Sequence, residues 1–243
     1  MRMLITRPEP DAQATRERLA ALEIEAEIAP LMTRQTLGAN VPRPEGFAAL
    51  ALTSTNALRA LEDLGALDGL RGIPVFAVGD RTAHEARKLG FAQVTAADGT
   101  LDSLATSIAL ARLEGPVLYP AGRHLSGDLA GALAPHGLMV ITVPVYEMVA
   151  ETRLPDPVRP GLIAGRYGAV LLYSRRTAEI FTTLVADLIA PRERPNLPVI
   201  CLSENVAQPL LGAHFTRVVL ADHPSEEAML AVTLAFAREQ TGS

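Results

Sequence analysis

The chain has 243 residues, of which 49% are hydrophobic and 20% charged, and its formal net charge is −5. This hydrophobic content can bury the core of two small domains and excludes a largely disordered chain. The acidic balance and an aromatic content of 4%, without tryptophan, exclude a general affinity for nucleic acid, which needs basic surface and stacking side chains.

Short apolar runs alternate along the chain with segments whose apolar residues recur at helical spacing. In chain order, the pattern predicts a strand at 3–5, a helix at 11–22, a strand at 48–52, a helix at 55–64, a strand at 75–78, a helix at 82–89, and further strands at 117–119, 170–173 and 199–202. Repeated strand-then-helix order is typical of parallel sheets covered by helices on both faces. The predicted fold class is therefore α/β with parallel sheets.

The two halves of the chain resemble each other. Three blocks of the first half correspond to blocks of the second half in the same order: Leu4 and Pro30 match Leu118 and Pro144, 52–57 resembles 172–178, and 73–98 matches 197–222. Three blocks in one order indicate two copies of a single α/β module, at about 1–113 and 115–237, with loop insertions between the blocks.

The two copies need not be separate domains in space. Segments 30–33 and 144–148 are predicted strand ends that cross between lobes, and the proline-rich stretches 42–44 and 151–160 are typical of domain boundaries. We therefore predict two similar lobes joined by a two-stranded linker. One lobe is formed by 1–35 and 148–243, the other is an inserted lobe at 36–147, and the active-site cleft is expected between them.

Polar and basic residues follow the predicted strands at the points where the strands end. In parallel α/β sheets, ligands bind beyond the carboxyl ends of the strands, where helix N-termini offer free N–H groups to anions. Six such turns together predict a site for a ligand with several anionic groups. The candidate binding residues are Arg7, Thr53, Ser54, Asn56, Gly79, Arg81, Gly122, Arg123, Ser174, Arg175 and Ser203.

Each of these residues also has a purely structural interpretation. The serines are typical helix N-caps, the arginines can be solvated surface charges, and the glycines can simply allow tight turns. For a single serine the structural interpretation is favoured, and only the joint placement of six turns supports binding.

Several other kinds of site lack their sequence motifs. There is no phosphate-binding loop, no dinucleotide-binding glycine pattern and no recognisable catalytic triad. The five histidines lack metal-ligand spacing. The single cysteine, Cys201, is expected to be a small buried side chain. The N-terminal apolar run is too short for a signal peptide and no apolar stretch is long enough to span a bilayer, so a cytoplasmic protein is expected.

Tyr146 is predicted to end a strand at the crossover between the lobes. It is either an ordinary packing residue of the linker or a phenol at the junction that can donate a hydrogen bond. A phenol has a reference pKa of about 10, so it is protonated at neutral pH and can act as a general acid.

These segments resemble the uroporphyrinogen-III synthase family. The matching stretches follow the family's order over nearly the whole chain, at 5–8, 52–57, 78–83, 119–122, 143–146, 173–174 and 201–207. Val206 stands where some relatives carry a hydroxyl, so any role of that hydroxyl does not transfer to this chain.

The resemblance implies a HemD-like fold and a cyclising hydro-lyase of heme biosynthesis, with Tyr146 as the catalytic residue. Its substrate is hydroxymethylbilane, a linear tetrapyrrole with eight carboxylates, which loses water and closes through azafulvene and spiro intermediates. The last ring, ring D, is inverted, which gives uroporphyrinogen III. No metal or organic cofactor is needed. The expected enzyme is a cytoplasmic monomer without nucleic-acid or membrane partners, and a transient contact with the upstream bilane-forming enzyme is compatible with this interpretation.

Two other functions stay open on the sequence. One is a non-enzymatic two-lobed binding or sensor module for a small anionic metabolite, and the other is a sugar-phosphate or nucleotide enzyme on a similar fold. The missing phosphate motifs count against the second. The first needs the same residues, because the proposed chemistry has no diagnostic acid–base set.

Overall fold

The computed structural model describes residues 1–125 and 127–241 and is a mixed α/β structure with two sheets in that part of the chain. Residues 1–33 and 149–243 form one compact unit, unit 1, and Arg34–Met148 form the other, unit 2. Gly242 and Ser243, which the sequence assigned to the first lobe, lie outside the described residues.

Strands and helices alternate along both halves of the chain. The first half contains β1 (Arg2–Ile5), α1 (Asp11–Ala21), β2 (Glu25–Ile28), β3 (Met32–Thr36), β4 (Ala49–Leu52), α2 (Thr55–Asp63), α3 (Leu67–Leu70), β5 (Val75–Ala77), α4 (Asp80–Lys88), β6 (Val94–Ala96) and α5 (Leu101–Leu110). The second half contains β7 (Val117–Gly122), α6 (Leu129–Leu133), β8 (Val140–Ala150), α7 (Val158–Ile163), β9 (Tyr167–Leu172), α8 (Arg175–Leu184), β10 (Val199–Cys201), α9 (Glu204–Gly212), β11 (Val218–Leu220) and α10 (Glu226–Thr241).

The unit 1 sheet has the strand order β11-β10-β9-β1-β2, and its strands pair in parallel. In β1, Leu4 packs on one face with α7, α8 and α9, whereas Met3 and Ile5 pack on the other face with α1 and α10. Successive side chains of a strand point to opposite faces, so a strand covered on both sides needs a continuous apolar run. This confirms the parallel α/β fold class predicted from these runs.

The unit 2 sheet has the order β3-β8-β7-β4-β5-β6. Leu50 and Leu52 of β4 pack with α2, α3 and α4, and Ala49 and Ala51 pack on the opposite face with α5 and α6. Strands β8, β7, β4 and β5 are successive parallel neighbours, so their carboxyl ends lie along one edge of this sheet. We call this the carboxyl edge of unit 2, and the matching edge of β1, β9 and β10 the carboxyl edge of unit 1.

The sequence repeat reappears as the same strand register in both units. In unit 1, Leu4 of β1 pairs with Val170 of β9. In unit 2, Leu118, the repeat partner of Leu4, pairs with Leu50 of β4. Each sheet therefore combines strands from both sequence copies: β1 and β2 join β9 to β11, whereas β7 and β8 join β4 to β6.

Two details differ from the sequence prediction. Tyr146 was expected to end a strand, but it lies inside β8, which continues to Ala150 because β8 has β3 beside it as well as β7. Gly122 was expected in a turn, but it is the last residue of β7, where it pairs with Tyr146. The predicted strand end at 144–148 is therefore wrong.

In the described part of the chain, no helix is long and apolar enough to cross a membrane. The same residues contain no group of three or more His, Cys, Asp or Glu side chains placed to hold a metal ion. Cys201 is fully buried in β10, and burial raises the pKa of its thiol to about 12. This confirms the expectation of a small buried side chain.

Candidate functional site

The first helix at the carboxyl edge of unit 2, α2, has a side-chain cap at its N-terminus. Ser54 precedes α2, and its hydroxyl accepts a hydrogen bond from the backbone N–H of Asn56 at 3.1 Å. The Asn56 side chain then accepts a bond from Arg59 at 3.0 Å. The Ser54 hydroxyl therefore holds the turn between β4 and α2, while the half-buried Asn56 side chain lies in the first turn of that helix.

The second helix at this edge has no side-chain cap. α4 follows Gly79, which has no side chain that could cap the first turn. Asp80 and the exposed Arg81 occupy that first turn, where the sequence had placed a loop. An uncapped helix N-terminus combines free N–H donors with the positive end of the helix dipole, so it suits a carboxylate ligand.

A buried tyrosine supports Thr53 between these helices. The Tyr119 hydroxyl lies 3.0 Å from the Thr53 hydroxyl, and Tyr119 is only 2% exposed. Burial raises the pKa of Tyr119, the bond with Thr53 opposes the rise, and the nearby Tyr146 adds to it. Tyr119 therefore stays a neutral phenol that fixes the orientation of Thr53.

Tyr146 is half-buried beside Gly122 at the same edge. Its carbonyl accepts a hydrogen bond from the Arg123 backbone N–H at 2.8 Å, and the ring packs beside the apolar layer that contains Leu50 and Leu52. Among the described residues, none forms a hydrogen bond with the Tyr146 hydroxyl. This phenol is therefore held at its backbone, while its hydroxyl is available to a ligand.

Arg123 has an ion pair of its own. Its guanidinium lies 2.7 Å from the Glu147 carboxylate, and about half of the Arg123 side chain is exposed. Because both residues are next to the paired Gly122 and Tyr146, the ion pair links β7 to β8 across that position.

The carboxyl edge of unit 1 repeats the pattern of one capped and one uncapped helix. Ser174 precedes α8, and its hydroxyl accepts the Thr177 N–H at 3.1 Å. Ser203 precedes α9 without forming a side-chain cap. Arg175 lies between them and bonds to Glu179 at 2.9 Å and to Gln208 of α9 at 3.1 Å. The uncapped α9 is the counterpart of α4 in the repeat.

Arg7 is turned away from these helix ends. It is 7% exposed, and its guanidinium lies 3.3 Å from both the Asp11 and the Glu226 carboxylates. It also lies over the ring of Tyr173, 4.4 Å from the ring centre. The Arg7 guanidinium, which was predicted from the sequence to bind a ligand, is thus already paired with two protein carboxylates.

Tyr173 closes this cluster from the β9 side. Its hydroxyl is buried without a hydrogen-bond partner within the described residues. Burial raises the pKa of Tyr173, and the neighbouring Arg7 and Thr15 partly oppose the rise. We call Arg7, Asp11, Thr15, Tyr173 and Glu226 the Arg7 cluster.

A cavity of about 570 Å³ in unit 1 does not coincide with these positions. It is lined by residues such as Arg2, Glu25 and Tyr167, which lie near the amino ends of β1, β2 and β9. The candidate residues of unit 1 lie at the opposite ends of the strands.

The family model of uroporphyrinogen-III synthase HemD matches residues 13–231. The chain belongs to this family. The match includes every candidate residue except Arg7, and it confirms the family predicted from the sequence.

The HemD fold also occurs in similar solved structures. Uroporphyrinogen-III synthetase from Helicobacter pylori superimposes with a TM-score of 0.66 at 21% identity, over 97% of this chain and 99% of that chain. A mutant uroporphyrinogen III synthase from the extremely thermophilic bacterium Thermus thermophilus gives a TM-score of 0.58 at 16% identity, over the full length of both chains. At such identities the likeness is one of fold. No curated protein sequence matches the chain significantly.

Sequence reasoning on this HemD-family chain missed three residues around the candidates. Tyr119 supports Thr53, and Tyr173 and Glu226 surround Arg7. Tyr173 directly precedes Ser174, so its place at a strand end was a usable signal. Glu226 had no comparable signal in the sequence, because it contacts Arg7 from α10, near the other end of the chain.

We expect Arg7→Gln to lower the free energy of unfolding by about 2–3 kcal/mol, because it removes the buried cation that pairs with two partly buried carboxylates. Arg18→Gln is the matched control. Arg18 also pairs with Glu226, at 3.4 Å, but half of its side chain is exposed, so its loss should cost under about 1 kcal/mol. Urea unfolding of both variants measures the difference. Equal losses in the two variants would show that the burial of Arg7 does not matter.

Proposed function

We propose that this chain is a uroporphyrinogen-III synthase. It converts hydroxymethylbilane into uroporphyrinogen III by dehydrating cyclisation with inversion of ring D. The observation that carries the proposal is the family match over residues 13–231, joined to a phenol at the carboxyl edge of unit 2 whose hydroxyl has no hydrogen-bond partner among the described residues. We further propose that it works as a cytoplasmic monomer without a metal or organic cofactor.

Binding of the substrate carboxylates is assigned to the helix N-termini at the two carboxyl edges. The uncapped α4 and α9 offer backbone N–H groups, which bind carboxylates without a strongly basic surface. This reconciles a polyanionic substrate with a net charge of −5. The side chains proposed to contact substrate beside these amides are Thr53, Ser54, Asn56, Arg81, Arg123, Ser174, Arg175 and Ser203.

Arg7 is given an indirect role in this proposal. Its guanidinium is already shared by Asp11 and Glu226, so a substrate carboxylate would have to displace a protein carboxylate to reach it. We infer that Arg7 instead holds the turn after β1 against α1 and α10, beside the helix ends that bind substrate.

Tyr146 is proposed as the general acid. Its phenol donates a proton to the hydroxyl of the hydroxymethyl group, the carbon–oxygen bond breaks, and water leaves. The pyrrole nitrogen supplies the electron pair that forms the azafulvene, which the substituted carbon of ring D then attacks. This attack gives a spiro intermediate, in which the bond between the substituted carbon and the methylene bridge to ring C then breaks. The free α-carbon of ring D bonds to that bridge carbon and loses its proton, so aromaticity returns with ring D inverted. The net change is the loss of one water, and the phenol regains a proton. A well-placed general acid contributes roughly 10²–10⁴-fold.

Most of the remaining catalysis is positioning. The substrate is electron-rich and ionises readily, and it closes spontaneously to the isomer without ring inversion. The enzyme therefore has to hold the one folded conformer in which the substituted carbon of ring D is attacked, which is an orientation effect.

The proposed function is tested with purified protein and freshly made hydroxymethylbilane. After oxidation, the two porphyrin isomers are separated and quantified against a reaction without protein. We expect isomer III well above the spontaneous background of isomer I. Isomer I alone would contradict the enzyme and leave a binding protein.

Tyr146→Phe should lower kcat by roughly 10²–10⁴-fold, because it keeps the ring and removes the proton donor. Tyr167→Phe is the control, since it removes a phenol at the amino end of β9, where the Tyr167 hydroxyl donates to Glu27 at 2.8 Å. That control should keep the wild-type kcat. If folded Tyr146→Phe turns over within about threefold of wild type, a barrier difference of only ~0.65 kcal/mol, Tyr146 is not the acid.

The three serines should separate capping from catalysis. Ser54→Ala and Ser174→Ala should each lower the free energy of unfolding by about 1 kcal/mol, because they remove caps, whereas Ser203→Ala should change it by only a few tenths. Activity should fall mildly in all three variants, because the backbone amides remain. If kcat of a folded single variant falls more than ~100-fold, about 2.7 kcal/mol, the serine hydroxyl contributes more to catalysis than the backbone amides do. Thermal unfolding and the isomer assay give the two readouts.

A further inference from the structure

Gly122 lies directly against the phenol end of Tyr146. A Cβ atom added at Gly122 would lie 3.0 Å from Cζ of Tyr146, 3.1 Å from its hydroxyl oxygen and 3.2 Å from Cε2. These distances are shorter than ordinary van der Waals contacts, which begin at about 3.4 Å. The ring of Tyr146 therefore occupies the space that any side chain at position 122 would need.

The backbone keeps Tyr146 close to Gly122. Gly122 pairs with Tyr146 where the register between β7 and β8 shifts, just after Ala121. The Arg123 N–H bonds to the Tyr146 carbonyl at 2.8 Å, and the ion pair between Arg123 and Glu147 at 2.7 Å joins the next residues of the two strands. A methyl group at position 122 must therefore be accommodated by movement of the ring.

The other sequence copy lacks both members of this pair. The repeat that aligns Leu4 with Leu118 and Pro30 with Pro144 places Pro8 opposite Gly122 and Met32 opposite Tyr146. Where the module has no tyrosine, it also has no glycine. This agrees with a glycine that is present at position 122 because the Tyr146 ring needs the space.

We propose that Gly122 is a positioning residue that sets where the Tyr146 hydroxyl stands at the carboxyl edge of unit 2. The inference rests on the proposed role of Tyr146 as general acid. It replaces the expectation that Gly122 itself lines the substrate. A substrate-lining glycine acts through substrate contact, whereas a positioning glycine acts only through the hydroxyl of Tyr146.

Gly122→Ala should therefore displace the Tyr146 ring by a few tenths of an ångström and lower kcat by roughly 10-fold. A misplacement of about 1 Å in a reacting group can cost roughly 100-fold, which sets this scale. KM should stay within about threefold, because no group that binds substrate is removed. The matched control is Gly72→Ala, since a Cβ at Gly72 has no atom within 4 Å.

The decisive test is a double-mutant cycle in the isomer III assay. We expect Gly122→Ala to lower kcat markedly when Tyr146 is present. In the Tyr146→Phe background, where no hydroxyl remains to be misplaced, it should lower kcat by less than about threefold. Equal losses in both backgrounds would overturn the proposal, because Gly122 would then act independently of the hydroxyl. Gly122→Ala with the activity of Gly72→Ala would overturn it as well.

The cycle separates this inference from the proposed function. Formation of isomer III by the wild-type protein tests the proposed function. A low kcat of the Tyr146→Phe variant tests the role of Tyr146 as general acid. If Tyr146→Phe is as fast as wild type, the acid role fails and this inference fails with it. If Tyr146→Phe is slow but Gly122→Ala is fast, only the inference about Gly122 fails.

Stability measurements keep the proposal testable if Gly122→Ala folds poorly. Tyr146→Ala removes the ring and frees the space for the added methyl group. Thermal unfolding should therefore show that Gly122→Ala destabilises the wild-type background more than the Tyr146→Ala background. An equal loss of stability in the two backgrounds would mean that the methyl group meets something other than the ring, and would overturn the proposal.

Discussion

Parallel pairing of β8, β7, β4 and β5 is the constraint on which the candidate site of unit 2 depends. Parallel strands end at the same edge of a sheet, and their helices begin there, so residues far apart in sequence become neighbours. Thr53 meets Tyr119 and Gly122 meets Tyr146 only because the registers of β4 with β7 and of β7 with β8 bring them together. A register slip of one residue would turn each strand's side chains to the opposite face and separate these pairs.

The polar groups at these edges fall into two sets. One set already forms hydrogen bonds within the protein: Ser54 and Ser174 cap helices, and Thr6 donates to the Leu171 carbonyl at 2.7 Å beside the Arg7 cluster. The second set has no side-chain partner within the described residues: the N-termini of α4 and α9 lack a side-chain cap, and the hydroxyl of Tyr146 forms no hydrogen bond. The hydrogen bonds of the first set stabilise the fold, and the groups of the second set are available to a ligand.

The sequence was sufficient to predict the fold class, the repeat and most strands, because those depend on local apolar runs. It did not predict how β8 continues through Tyr146, since that continuation depends on having β3 beside it from a distant part of the chain. The surroundings of Arg7 were equally hidden, because Glu226 arrives from α10. Strand ends can thus be located from local patterns, but the direction of a charged side chain at such an end depends on long-range packing.

Duplication gave the two units one architecture but not one chemistry. The capped and uncapped helices recur in both, so the helix N-termini that we propose for anion binding occur at the two carboxyl edges. The proposed proton donor is not shared, because Met32 stands where Tyr146 would be in the other copy, and a thioether cannot donate a proton. At the strand end where unit 2 has Thr53 bonded to Tyr119, unit 1 has Tyr173 packed under Arg7. The two units therefore share the helix ends that we propose for binding carboxylates, whereas only unit 2 contains the proposed proton donor. Such a division fits the proposed reaction, in which many substrate carboxylates are held in place and one hydroxyl group leaves as water.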